Sequence, residues 1–191
     1  MIVGLSGYAR SGKDTVAEYL VDNYGFKRVA FADAIKDALL AINPHIPNLY
    51  RLDDSVELEG WEVAKLNPYV RSMLQALGVY ARDNWGENFW IDQAVKKIDS
   101  LRGENYSLNN VVITDVRFPN EYDAISNWTI AGKQGVVVRV SREGIMPVNN
   151  HVSEIALDNH QFKHTIHNDS DLFDLHLSIE NLMRELGVEK E

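Results

Sequence analysis

The first residues whose spacing could do chemistry are Gly7-Tyr8-Ala9-Arg10-Ser11-Gly12-Lys13-Asp14-Thr15, which have the form G-x-x-x-x-G-K. Two glycines allow backbone angles and close approaches that side chains block. Backbone N–H groups can then turn inward around a phosphate, and a helix that starts here adds its partial positive charge. Gly7, Arg10, Ser11, Gly12 and Thr15 shape the cradle, and Lys13 reaches the outer phosphates. Asp14 stands where Ser or Thr normally ligates Mg²⁺; a carboxylate can also hold that ion, directly or through water. Thr15 brings a hydroxyl one position later, toward an α-phosphate.

A second acidic position ends the apolar run Val111-Val112-Ile113-Thr114-Asp115. A carboxylate at such a strand end approaches the Mg²⁺–phosphate region of a nucleotide site. Arg117 follows two residues later, and its planar, always-charged fork suits a further phosphoryl group.

The elements that must position these residues read as α/β. Apolar, β-branched runs at Met1–Ser6, Arg28–Ala32, Val111–Asp115, Val136–Val140 and His164–His167 predict five strands. Helical patterns separate them: one after Lys13, then Ala34–Ile42, Pro68–Asp83, Phe89–Leu101, Pro119–Trp128 and Ser153–Leu157. A long amphipathic helix closes the chain, with Asp169 or Ser170 as its N-cap and Gly187 as its stop. Alternation of this kind predicts a mostly parallel sheet flanked by helices. The gap between the second and third strands is too long for a plain crossover and predicts an inserted helical region. Its first part, Asn43–Gly60, reads as a loop containing Pro44 and Pro47. In open parallel sheets ligands bind beyond the C-terminal strand ends, which is where both motifs fall.

Five segments, in order, resemble the phage-type deoxynucleoside monophosphate kinases of the P-loop superfamily: GYARSGKDT, Arg71-Ser-Met-Leu-Gln-Ala-Leu-Gly78, Gly86-Glu-Asn-Phe-Trp90, DVRFPNE and His151-Val-Ser-Glu154. The likeness spans nearly the whole chain, and Asp after the P-loop Lys is usual in that family. The resemblance implies one P-loop kinase domain over 1–191, with an acceptor-binding insertion at 43–102 and a short lid at 141–152. It implies transfer of the γ-phosphoryl group of ATP, with Mg²⁺, to a deoxynucleoside 5′-monophosphate. Carried over by residue, it implies that Lys36, Arg71, Gln75, Gly78, Arg82 and Trp90 bind the acceptor. Asp115, Arg117 and Glu121 stand between acceptor and donor, Arg142 starts the lid, and Asn168 and Asp169 belong to the adenine loop.

The residues carry their own logic beside this. Arg71, Gln75 and Arg82 fall on one face of a helix, offering two guanidiniums and an amide that can donate to and accept from a base edge. Trp85 and Trp90 could stack on a base or form the core of the insertion. Trp61 and Trp128 read as packing or surface. Lys36 follows a strand end, with Asp33 as an N-cap. His151 and Glu154 read as a capping or lid hydrogen bond. His160, His164 and His167 do not share one face, and no zinc site is expected from them.

Charge and composition limit the alternatives. The 191 residues carry 19 Lys+Arg against 28 Asp+Glu, a net −9, so the overall field does not favour a nucleic-acid polymer or a membrane surface. The excess is local, because Glu143–Glu191 holds 3 of those bases and 10 of those acids. No cysteine is present, which excludes disulfides and thiolate chemistry. No apolar run is long enough to span a bilayer, and MIVGLSG lacks the features of a signal peptide. The expected compartment is the cytoplasm, the host's if the chain is of phage origin. The expected partners are small-molecule nucleotides, with a homodimer left open. Two rival readings share the P-loop: a kinase for another phosphorylated acceptor, such as dephospho-coenzyme A or phosphomevalonate, and a non-catalytic nucleotide-binding regulator.

Overall fold

The computed structural model describes residues 1–47, 51–104, 109–130, 132–148 and 151–191. In chain order the elements begin with β1 (Ile2–Ser6), α1 (Lys13–Tyr24), β2 (Lys27–Val29) and α2 (Phe31–Ile42). Then come α3 (Leu52–Ala64), α4 (Pro68–Trp85), α5 (Phe89–Glu104), β3 (Val111–Ile113) and α6 (Pro119–Asn127). The last are β4 (Thr129–Ile130), β5 (Lys133–Gln134), β6 (Val136–Ser141), α7 (Val152–Ile155), β7 (His164–His167) and α8 (Leu172–Glu185). They fall into two compact units, Met1–Ala30 with Val95–Glu191, and Phe31–Ala94.

The first unit holds a five-stranded sheet in the order β2-β3-β1-β6-β7. Every pairing in it is parallel, for instance Ile2 with Val111, Val3 with Val136 and Val138 with His164. β1 is buried on both faces, as a central parallel strand must be, and this explains its unbroken apolar reading. Val3, Leu5, Val138 and Val140 pack with Val16 and Leu20 of α1 and Leu175, Ile179 and Met183 of α8. The fold is thus the expected α/β P-loop type, and the sheet presents the C-terminal ends of β1, β3 and β6 to the motifs.

The second unit has its own core, Leu39, Ile46, Leu52 and Val70, with Trp61, Met73 and Leu74 packed on it. This unit takes in α2, which the expected insertion at 43–102 left outside. The segment 43–60 is not the loop the sequence suggested, because α3 starts at Leu52. Gly60, with φ 75° and ψ 165°, kinks that helix and breaks its apolar period, which hides it from pattern reading. Asn43 anchors its start, its amide donating to Asp53 Oδ2 at 2.6 Å and its Oδ1 accepting from the Asp53 N–H at 3.1 Å. Residues 48–50 of that segment, and 149–150 of the expected lid, lie outside the described residues.

Three smaller corrections follow from hydrogen bonding. The second strand ends at Val29, where its partner β3 runs out, and Phe31 and Ala32 already belong to α2. The N-cap of α8 is Asp171, whose Oδ1 accepts from the Asp174 N–H at 2.9 Å; Asp169 accepts instead from the Glu143 N–H at 2.5 Å. β4 and β5 form a two-residue antiparallel ladder too short to leave a periodic signal. No helix among the described residues is long and apolar enough to cross a membrane.

Candidate active site

The cradle is built by β1 ending and α1 beginning with only six residues between them. Gly7 has φ 144° and Gly12 φ 103°, both closed to ordinary side chains. A Cβ on Gly7 would meet the Val140 carbonyl, and one on Gly12 the Asn168 amide, so space enforces glycine at both positions. Arg10 is left-handed too, with φ 68°, and its side chain is exposed. The Val16 N–H donates to the Gly12 carbonyl at 3.0 Å, which makes Lys13 the first helical residue.

Lys13 is 9% exposed, and its Nζ donates to the Gly7 and Tyr8 carbonyls at 2.8 and 2.7 Å. Burial lowers its pKa from 10.5 to about 8; Arg117 adds to that, while Asp14, Glu154 and Asp115 oppose it. Those four groups therefore surround the lysine closely enough to act on its charge. Asp14 is exposed in the first turn of α1, Thr15 is half-buried beside it, and Asp115 is half-buried beyond β3. Ser11 is 1% exposed, and its Oγ has no hydrogen-bond partner among the described residues.

Arg117 is held from two sides. Its N–H donates to Glu121 Oε2 at 2.7 Å, and the Phe118 N–H donates to the same oxygen at 3.0 Å. Its Nη1 donates to Glu154 Oε1 at 2.5 Å and to the Ser153 carbonyl at 3.3 Å. Glu121 was expected to meet the acceptor. At 4% exposure, with Oε2 committed to two backbone N–H groups, it holds the turn that carries Arg117.

Asn168 is likewise a brace. It is 9% exposed, its Nδ2 donates to the Ser11 carbonyl at 3.0 Å, and its N–H donates to the Ser141 carbonyl at 2.8 Å. It ties the ends of β6 and β7 to the loop and does not stand open to an adenine. Arg142 is exposed just after β6, and its carbonyl accepts from the Ile145 N–H at 3.2 Å. His151 caps α7, its Nδ1 accepting from the Ser153 N–H at 3.2 Å and its carbonyl from the Glu154 N–H at 2.8 Å, while the Glu154 carboxylate accepts from Arg117.

The second unit carries the residues expected to bind the acceptor. Arg71, Gln75 and Arg82 are half-buried along α4, as their spacing predicts. Lys36 is half-buried on α2, with its Nζ 5.7 Å from the Trp61 ring centroid. Trp90 is not a stacking platform: it is 4% exposed, and its Nε1 donates to the Gly78 carbonyl at 2.9 Å. Gly78 enters that packing through its carbonyl, and a Cβ there would stand 3.4 Å from Ile35 Cδ1. Trp85 is the open aromatic, 57% exposed, with Tyr80 and Phe89 rings at 5.8 and 5.0 Å.

Sequence reading did not single out Arg139 of β6. Its guanidinium lies 4.9 Å from the Tyr8 ring and 5.5 Å from the Phe162 ring, and pairs with Asp158 at 3.5 Å. A basic residue inside the apolar run Val136–Val140 was the available signal. For a divalent ion the donors are Asp14, Asp115 and the Thr15 hydroxyl beside the phosphate cradle. No group of three or more His, Asp or Glu side chains among the described residues could hold a metal alone. That donor set fits Mg²⁺, which uses one or two carboxylates and takes its other ligands from phosphate and water.

The sequence profile of the deoxynucleotide monophosphate kinases matches residues 1–62 and 59–179. A provisionally named deoxynucleotide monophosphate kinase of Acanthamoeba polyphaga mimivirus is 31% identical over 172 residues, covering 82% of this chain and 82% of its own. The uncharacterised ORF77 protein of Ictalurid herpesvirus 1 (strain Auburn) is 32% identical over 174 residues, 88% of this chain and 64% of that protein. Among solved structures, dephospho-CoA kinase from Campylobacter jejuni matches with a TM-score of 0.52 at 13% identity, over 97% of this chain and 96% of its own. That likeness is one of fold.

Proposed function

The chain belongs to the deoxynucleotide monophosphate kinase family, and on that premise we propose that it transfers the γ-phosphoryl group of ATP to a deoxynucleoside 5′-monophosphate, giving the diphosphate and ADP. The observation that carries this reading is the buried Lys13, set in a glycine-enforced loop with Arg117, Asp14 and Asp115 around it.

The loop amides and Lys13 take the β- and γ-phosphates. Lys13 is now satisfied by two carbonyls; an arriving polyanion offers it better acceptors and fixes its proton. Asp14 and Asp115 would hold Mg²⁺, which would supply neutralisation of the phosphate charge. Arg117 and Arg142 stabilise charge on the transferring group. On the acceptor side, Arg71, Arg82 and Lys36 take the nucleotide's phosphate, and Gln75 an edge of its base. An acceptor oxygen, already anionic, forms the new bond to the γ-phosphorus as the bond to the β–γ bridging oxygen breaks. ADP leaves with that electron pair, so no strong general base is needed.

The test is ADP release measured with each of the four deoxynucleoside monophosphates, dephospho-coenzyme A and phosphomevalonate. Turnover with at least one deoxynucleotide, at a kcat/KM well above that for the other two acceptors, is expected. Turnover with another acceptor alone, or ADP formation that no acceptor accelerates, refutes the reading.

A further inference from the structure

The motif His151-Val-Ser-Glu154 takes no part in the roles above, yet it meets them at Arg117. α7 is a single turn, capped by His151 Nδ1, which also lies 2.8 Å from Ser153 Oγ. The cap sets the Ser153 carbonyl and the Glu154 carboxylate side by side, and both accept from Arg117 Nη1. The Glu154 side chain is 10% exposed and the Arg117 side chain 36%. A carboxylate this buried is costly unless paired, so the contact is well determined. Glu121 fixes the main chain of the same arginine at 2.7 Å. The guanidinium is therefore pinned by one nitrogen, with a third of the side chain still open to solvent. Glu154 also lies near enough to Lys13 to favour its charged form against the push of Arg117.

We propose that Glu154 is a positioning residue: it holds the Arg117 guanidinium in the orientation from which its remaining N–H groups meet the transferring phosphoryl group, without itself touching substrate. This rests on the kinase reading above. A misplaced charge donor costs rate rather than ground-state binding when its contact strengthens only in the transition state.

Two measurements test it. The first is steady-state kinetics on wild type, Glu154→Ala, Glu154→Gln, Glu154→Asp, Arg117→Ala and the Glu154→Ala/Arg117→Ala double variant. Glu154→Ala should lower kcat by about 10²-fold and move the KM for ATP by less than about threefold. Glu154→Asp should recover part of the loss, and the double variant should be no slower than Arg117→Ala. Glu154→Gln, nearly the same shape, carries the comparison if Glu154→Ala does not fold. Unchanged kcat in the Glu154 variants overturns the proposal, as does an equal cost of Glu154→Ala with and without Arg117. The second is the order of the Arg117 Nε–H by ¹⁵N relaxation in nucleotide-free protein, which needs no turnover. Order in wild type and its loss in Glu154→Ala are expected, and equal order in both overturns the proposal. A wild type that transfers nothing to any deoxynucleotide refutes the kinase reading instead.

Discussion

Replacing Lys13 by Met separates the stability of the P-loop from its function, and in opposite directions. Burial holds the Lys13 pKa at about 8 against 10.5 for an ordinary lysine. At 1.36 kcal/mol per unit, keeping that ammonium charged in the folded protein costs about 3 kcal/mol. The sign follows from proton counting. Between pH 8 and 10.5 the unfolded chain binds a proton that the native chain has released, so stability rises with pH through that window. Below pH 8 the penalty is present in full, and above 10.5 it is gone.

Met removes the charge and with it the penalty, but it also removes the donor from the Gly7 and Tyr8 carbonyls. The Tyr8 carbonyl keeps the Ser11 N–H at 3.2 Å. Lost hydrogen bonds of this kind cost about 1 kcal/mol each. Lys13→Met should therefore be more stable than wild type by about 1–2 kcal/mol at pH 7, and less stable by a similar amount above pH 10.5. Urea unfolding of both proteins across pH 7–11 reads this crossing, since every other titrating group is common to the two. The same variant should lose about 10²–10³-fold in kcat/KM, the scale of one donor aimed at transition-state charge. A Lys13→Met protein less stable than wild type at pH 7, or a stability difference that does not move with pH, refutes the burial argument. Near-normal turnover refutes the P-loop assignment.

Gly12→Ala places a methyl group against the Asn168 amide at φ 103°. It should cost about 2–3 kcal/mol by denaturant midpoint, from backbone strain and the lost bond to Ser11, and should raise the KM for ATP. Trp90→Ala, which empties a core position and removes the Nε1 bond to the Gly78 carbonyl, should cost about 3–5 kcal/mol in the same assay. Trp85→Ala should cost less than about 1 kcal/mol because the ring is exposed, so a rise in the acceptor KM there would mark a base platform.

What was legible in the sequence was what is local. The P-loop writes its glycines, lysine and following helix within nine residues, and β1, β3 and β6 announce themselves by largely apolar runs rich in Val and Ile. The fold class follows from their alternation. What was not legible depends on contacts far apart in the chain. Asn168 and Ser11 are separated by 157 positions, and Arg117 and Glu154 by 37, so no periodicity connects them. Trp85 and Trp90 look alike in sequence, and only the packing of α4 against the start of α5 decides which is core. The helix α3 was hidden by one glycine in its own interior, where local propensity and tertiary packing disagree.

The net charge of −9 is resolved by how the first unit keeps its cations. Lys13 is capped by two carbonyls, Arg117 by Glu154 and Ser153, and Arg139 by Asp158 between two rings. None stands as a bare charge, so the unit needs no surplus of base to hold them together. Each pairing is also one that a phosphate can better: a carbonyl offers a partial charge, and a single carboxylate contact leaves most of a guanidinium fork unused. Binding of a polyanion then gives Lys13 stronger acceptors than its two carbonyls and adds contacts to Arg117 beside the one Glu154 holds, at groups already in place. Little is lost to ordering, because the turn at Glu121 and the brace at Asn168 have fixed the backbone beforehand. On this argument the acidic surplus after Arg142 does not oppose nucleotide binding, since the ligand meets local pairings at close range and the distant charges are screened beyond about 8–10 Å.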